Sequence, residues 1–213
     1  MTGVPKLFHQ MWLRNSPGPI PATYRKWTEE WKDTHKDWTY RLWTSIPPLT
    51  PPSLDLWQRA AEISPDTVEQ FRSDIARYEI LYQYGGVWVD IDCQPQKPID
   101  PLCDVEAFVA WEVQDRWASN AIMGAVPGHP FIKELIERLP GSVRRHHNKA
   151  NTKKSGPQFL TPILRRHPEV RVYHQHMFFP YAYNELDRAA EDFPDAYAVH
   201  HFANQRRKKG VPL

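Results

Sequence analysis

The sequence predicts an α/β domain, and three stretches carry that expectation. Val68, Phe71, Ile75, Tyr78 and Tyr82 recur at steps of three and four, which stacks them on one face of a helix. Directly afterwards the period drops to two through Val87, Val89 and Ile91, with Trp88, Asp90 and Asp92 pointing the other way, as in a strand. Earlier, residues 4–13 form an apolar run with aromatic ends, closed by the turn signal Asn15-Ser16-Pro17-Gly18-Pro19.

Residues 4–13 are expected to form a first, central strand, whose far end would bring Gln10 and Trp12 to a ligand crevice. Tyr24, Trp27 and Trp31, with Trp38, give a helix-spaced aromatic stripe suited to a core, and residues 38–43 alternate like a strand. Pro47, Pro48, Pro51 and Pro52 interrupt regular structure before a short helix over 54–63. For the main helix, Ser64 or Asp66 can cap the start, Pro65 suits the first turn, and Gly85 can take the left-handed conformation that closes it. Further strands are expected over 107–111, within 117–126, and late over 170–173 and 197–202, with helices over 131–139 and 158–164. The basic segment 144–154 reads as a solvated loop, or as a surface that approaches an anion. Ser155-Gly156-Pro157 opens a helix whose amides could face one.

With 213 residues, no internal repeat and no linker, one domain spanning 1–213 is expected. Its 27 basic and 25 acidic residues leave a net charge of +2, which gives no reason to invoke nucleic acid. Cys93 and Cys103 are too few for a disulfide framework and read as reduced thiols. No run approaches the ~20 apolar residues of a membrane span, and the start lacks the apolar core of a signal peptide. A soluble cytoplasmic protein is the expectation.

Asp90 and Asp92 would lie roughly 7 Å apart at Cα on one strand face, where two carboxylates repel unless a cation sits between them. A divalent cation is the natural candidate, and His200 or His201 at a late strand end could complete its shell. The alternatives are loop-start acids satisfied by amides or arginines, and an aspartyl-phosphate phosphotransferase or phosphatase. The latter expects the motif on the first strand, with a downstream Lys and a further acidic pair; here the motif comes after roughly ninety residues and no Asp-Asp pair follows.

Taken together, residues 6–12, 73–81, 84–92, Asn120, 124–130, 155–157 and 200–202 resemble, in order, the glycosyltransferases of the sugar-binding Asp-x-Asp type. The likeness is to family 32, which includes the initiating α-mannosyltransferases of yeast outer chains, and more distantly to the glucosylating domains of clostridial toxins. The resemblance implies a GT-A fold, a Rossmann-like mixed sheet flanked by helices, with a UDP- or GDP-sugar donor and Mn²⁺ or Mg²⁺. It implies that Asp92 and His201, in preference to His200, bind the metal, with Asp90 reaching the ribose, the sugar or the metal. It places Asp74 and Arg77 on the donor sugar and Trp12 on the base, with Gln10, Trp88 and Asn120 also at the donor, and Asp90, Asp92 and Arg77 as the catalytic set. Transfer to an acceptor hydroxyl with retention of configuration is implied. The acceptor, whether glycan, lipid-linked sugar, small molecule or protein, is left open. Two departures stand out: Trp88 replaces a tyrosine of the toxins, and residues 204–209, with four basic side chains, replace the usual Ser-Trp closing loop. The rival class is a non-catalytic glycan or anion binder on the same fold.

Overall fold

The computed structural model describes residues 3–13 and 18–211, so residues 15–17 of the first turn signal lie outside the description. Strand β1 (Leu7–Met11) is followed by helix α1 (Ala22–Thr34), which leads to strand β2 (Thr39–Trp43), parallel to β1. Helices α2 (Pro51–Gln58), α3 (Ala60–Ile63) and α4 (Val68–Tyr84) precede strand β3 (Gly86–Val89), which pairs in parallel with the other side of β1. A short β4 (Cys93–Pro95) follows, and then the antiparallel hairpin of β5 (Ala107–Val113) and β6 (Trp117–Ala125). Helices α5 (Pro130–Arg145), α6 (Asn151–Lys154) and α7 (Pro157–Leu164), strands β7 (Arg171–Tyr173) and β8 (Ala198–His200), and helix α8 (Ala203–Lys209) complete the order. The main sheet runs β2-β1-β3-β6-β5-β7 and is mixed; β4 and β8 form a separate antiparallel ribbon. This is the α/β architecture expected, and β1 is one place in from the edge.

The sheet separates two apolar layers. On one face α4 contributes Phe71, Ile75 and Tyr78, packed with Leu135 and Leu139 of α5 and Leu160 of α7. On the other, Phe8, Val87, Val89 and Phe108 meet Trp31 of α1 and the loop residues Phe178 and Phe179. Val87 and Val89 thus share one face while Trp88 joins the opposite cluster, as a period of two requires.

Several boundaries differ from those expected. Strand β3 ends at Val89, so Asp90 and Asp92 lie in the turn beyond it rather than on its face. Pro51 and Pro52 open α2, where the missing amide costs no helical hydrogen bond, instead of interrupting the chain. Ser64 and Asp66 do not cap α4; a single 3₁₀ turn over Pro65–Thr67 leads into it, and the Ser64 hydroxyl donates to Asn151 Oδ1 at 2.7 Å. Gly85 does close the helix, with φ +64° and its amide bonded to the Leu81 carbonyl. Arg144 and Arg145 belong to the last turn of α5, where cations suit the helix dipole, rather than to a loop. Lys154 is buried, donating to the Ile63 carbonyl and, at 2.9 Å, to Ser64 Oγ. The segment 144–154 is therefore not one continuous basic surface. Both cysteines are free and buried. Among the described residues no helix is long and apolar enough to cross a membrane.

Candidate active site

Asp74 and Arg77, three residues apart on α4, share a face of that helix. Their side chains are only 5% and 3% exposed, so this is no surface ion pair. Arg77 Nη2 lies 3.2 Å from Asp74 Oδ1 and 3.0 Å from Asp90 Oδ1, joining the helix to the turn after β3. Its other nitrogens donate to the Ser73 carbonyl and the Asn120 carbonyl. Burial opposes the guanidinium charge, but Asp90 and Asp74 outweigh it and hold the pKa above its ordinary value. Asn120 donates through Nδ2 to Asp74 Oδ1 at 2.9 Å, and the Ser155 hydroxyl donates to Asp74 Oδ2 at 2.7 Å. Removing either partner of such a pair strands the other charge, at a cost of about 3–5 kcal/mol.

Asp90 accepts from Trp88 Nε1 at 2.8 Å, so Trp88, itself buried, orients this carboxylate. Burial pushes the Asp90 carboxyl up; Arg77 pulls against this and the charge of Asp92 adds to it, with a net upward shift. Asp92 behaves oppositely. Burial opposes its ionisation, but His200 beside it and the Ala203 amide, which donates to Oδ2 at 2.8 Å, bring its pKa down to about 2.

The two late histidines are held differently. The two nitrogens of His201 are engaged by Tyr181 Oη at 3.1 Å and Gln94 Oε1 at 3.0 Å, and its ring stacks on Trp27. His200, the last residue of β8, places Nε2 3.4 Å from Asp92 Oδ1. Burial lowers the His200 pKa, yet Asp92 and Asp90 outweigh it and raise it overall. Its Nδ1 is buried without a hydrogen-bond partner among the described residues. A carboxylate, a second carboxylate nearby and an imidazole with an unused nitrogen are a fitting donor set for a divalent cation. Asp92, His200 and Cys93 each offer an atom within 4.8 Å of the others, but burial pushes the Cys93 thiol well up, leaving it a poor ligand for a hard cation.

Two cavities meet at these residues. One of about 370 Å³ is walled by Trp12, Tyr24, the 65–67 turn and Arg207; the other, of about 560 Å³, is walled by Asp74, Asn120, His200 and Tyr183. Arg77, Asp90 and Asp92 line both and form the neck between them. Trp12 is therefore at a ligand-sized hollow as expected, with Nε1 donating to the Gly18 carbonyl at 3.3 Å. Gln10 is not. Its Oε1 accepts from Thr28 and Tyr40 beneath α1, and it lines neither cavity, because β1 turns it to the packed side. Glu112 was missed: it lines the larger cavity and accepts from the Ser119 hydroxyl at 3.0 Å. Burial raises its carboxyl pKa, against the pull of His200 and Ser119. The available signal was a lone carboxylate, next to last in the otherwise apolar strand Ala-Phe-Val-Ala-Trp-Glu-Val.

Residues 21–109 match a family described as a glycosyltransferase sugar-binding region containing a DXD motif. The chain is 32% identical over 181 residues to inositol phosphoceramide mannosyltransferase 3 of Schizosaccharomyces pombe, covering 80% of this chain and 48% of the relative. It is 35% identical over 142 residues to mannosyl phosphorylinositol ceramide synthase CSH1 of Saccharomyces cerevisiae, covering 64% and 35%. The chain thus spans about half or less of these relatives. Among solved structures, the PaToxG glycosyltransferase superposes with a TM-score of 0.66 at 15% identity, over 99% of this chain and 79% of that one. The UDP-bound glycosyltransferase domain of the YGT toxin superposes with a TM-score of 0.58 at 10% identity, over 81% and 80%. The fold is GT-A.

Proposed function

We propose, on the premise that residues 21–109 match the glycosyltransferase sugar-binding region containing a DXD motif, that the chain transfers a hexosyl group from a nucleotide-sugar to an acceptor hydroxyl, aided by a divalent cation and with retention of configuration. The observation that carries this reading is the neck: Arg77, Asp90 and Asp92 line both cavities, so a ligand filling the two would cross them. The smaller cavity, with Trp12 and Tyr24, suits a base and ribose, and the larger one suits the sugar and the acceptor. Asp92, His200 and Asp90 would hold the cation. When bound, it would neutralise the negative charge that develops on the departing diphosphate.

The protein's own groups do the rest. Arg77, fixed by Asp74 and Asp90, orients the sugar at the neck and supplies positive charge there. Asn120 and Ser155 hold Asp74, so that the donor pocket is formed before ligand enters. The names of the fungal relatives make a mannosyl donor and an inositol-bearing acceptor the first to try.

Donor hydrolysis across a panel of UDP- and GDP-sugars, with and without Mn²⁺ or Mg²⁺, tests the reading. One donor is expected to be hydrolysed only with the cation, and Mn²⁺ plus the matching nucleoside diphosphate to raise the Tm. Asp92→Asn and His200→Asn are expected to lower cation-dependent turnover by about 100-fold or more while keeping the fold, whereas His201→Asn keeps the cation dependence. A folded Asp92→Asn protein with unchanged turnover would overturn the assignment.

A further inference from the structure

The β5–β6 ladder slips by one residue beside the larger cavity. Trp111 pairs with Ala118 and Val113 with Trp117, which leaves Glu112 unpaired in a β-bulge. Bulges re-aim single side chains, and this one turns a carboxylate toward the cavity that also holds Asp92 and His200. Ser119 fixes its direction: the hydroxyl donates to Glu112 Oε2 at 3.0 Å and accepts from the Ala121 amide at 3.2 Å. Ser119 is buried, and no ion pair is made by Glu112 among the described residues. A half-buried carboxylate turned into a cavity and held by a single hydroxyl costs stability unless a ligand uses it.

Building on the transferase reading above, we propose that Glu112 is the acceptor-binding carboxylate, taking a hydrogen bond from the attacking hydroxyl and holding its oxygen toward the sugar. In the transfer the acceptor O–H and the sugar–phosphate C–O bonds break and a new C–O bond forms. The electron pair leaves on the diphosphate, the hydroxyl proton ends on that phosphate oxygen, and Glu112 is unchanged over the cycle. The acceptor class is therefore a neutral hydroxyl, with water as its smallest member.

Water makes the proposal testable without knowing the acceptor. Glu112→Gln and Glu112→Ala are compared with the unsubstituted chain for hydrolysis of the donor found above, and for the Tm shift given by Mn²⁺ and the nucleoside diphosphate. The expected result is hydrolysis slowed by about tenfold in the Gln variant and more in the Ala variant, with the nucleotide-induced shift preserved. Ser119→Ala, which keeps the carboxylate but removes the hydroxyl that aims it, is expected to fall between. Hydrolysis within twofold of the unsubstituted rate in both Glu112 variants overturns the proposal. So does loss of the nucleotide shift together with the rate, which would place Glu112 in the donor site or the fold. If the unsubstituted chain neither hydrolyses any donor nor shifts with any nucleotide, the transferase reading itself has failed, and that outcome is distinct from either of these.

Discussion

At the scale of single residues, His9 is tied to the backbone that precedes β3. It bonds through Nε2 to the Gly85 carbonyl at 2.9 Å, while Nδ1 accepts from Trp43 Nε1 at 3.2 Å. Both contacts are satisfied by one neutral tautomer, and burial brings its pKa down to about 4 from 6.5. In that interval the unfolded chain binds the proton that the folded one refuses. The stabilisation is therefore complete above about pH 6.5 and is lost as pH falls toward 4, by up to about 3 kcal/mol. Urea denaturation at pH 7 and pH 4.5 should show the loss, and His9→Gln should flatten it; a His9 imidazole titrating near 6.5 by NMR would contradict it. Single-residue legibility followed chemistry. Asp90 and Asp92 are legible from the strand pattern, Asp74, Arg77 and Asn120 only through the family resemblance, and the structure gathers all five. The residue pattern leaves His200 and His201 both open and the resemblance favours His201; which of them meets Asp92 depends on the register of β8 against β4, which no local pattern encodes.

At the scale of elements, the step from α4 into β3 is made by two glycines with positive φ, +64° at Gly85 and +88° at Gly86. A Cβ on Gly86 would collide with the Leu7 carbonyl oxygen, in the strand that β3 pairs with. Gly86→Ala thus meets both an unfavourable backbone angle and a backbone atom that cannot move aside. We expect a loss of about 3 kcal/mol, read as a lower urea midpoint, with Gly128→Ala as comparison. Gly128 also has positive φ but open space around it, so it should lose less. Helix α4 was readable because its packing period is local, whereas the ends of elements were not. Pro140 lies inside α5, so the helix expected to stop at 139 runs on to Arg145, past a position that a local rule assigns to a helix end. The bulge at Glu112 was equally invisible, since it exists only as a mismatch between two strands.

Across the whole molecule, the neck is assembled from distant parts of the chain: α4, the turn after β3 and, through Asn204, α8, with the Asn120 carbonyl of β6 bracing Arg77. The late segment closes over Asp92 from both sides, through the His201 amide on its carbonyl and the Ala203 amide on its carboxylate. The four basic residues of α8 then divide their work. Arg206 is buried and donates to the His201 and Leu186 carbonyls, holding the segment in place. Arg207 instead lines the smaller cavity beside Trp12 and Tyr24, with Nη2 on Asn204 Oδ1 at 3.1 Å. An exposed guanidinium at the mouth of a nucleotide-sized hollow should act on a diphosphate through a screened, salt-sensitive attraction. Arg207→Ala is therefore expected to weaken nucleoside diphosphate binding in Mn²⁺ by about tenfold at low salt, and by clearly less at 0.5 M, where the ionic atmosphere already does the screening. Lys209→Ala, at an exposed position on the same helix that lines neither cavity, should leave the affinity unchanged. Titration of both variants at two salt concentrations separates a diphosphate contact from a general charge effect: equal losses in the two would mean that α8 attracts the nucleotide only as a basic patch.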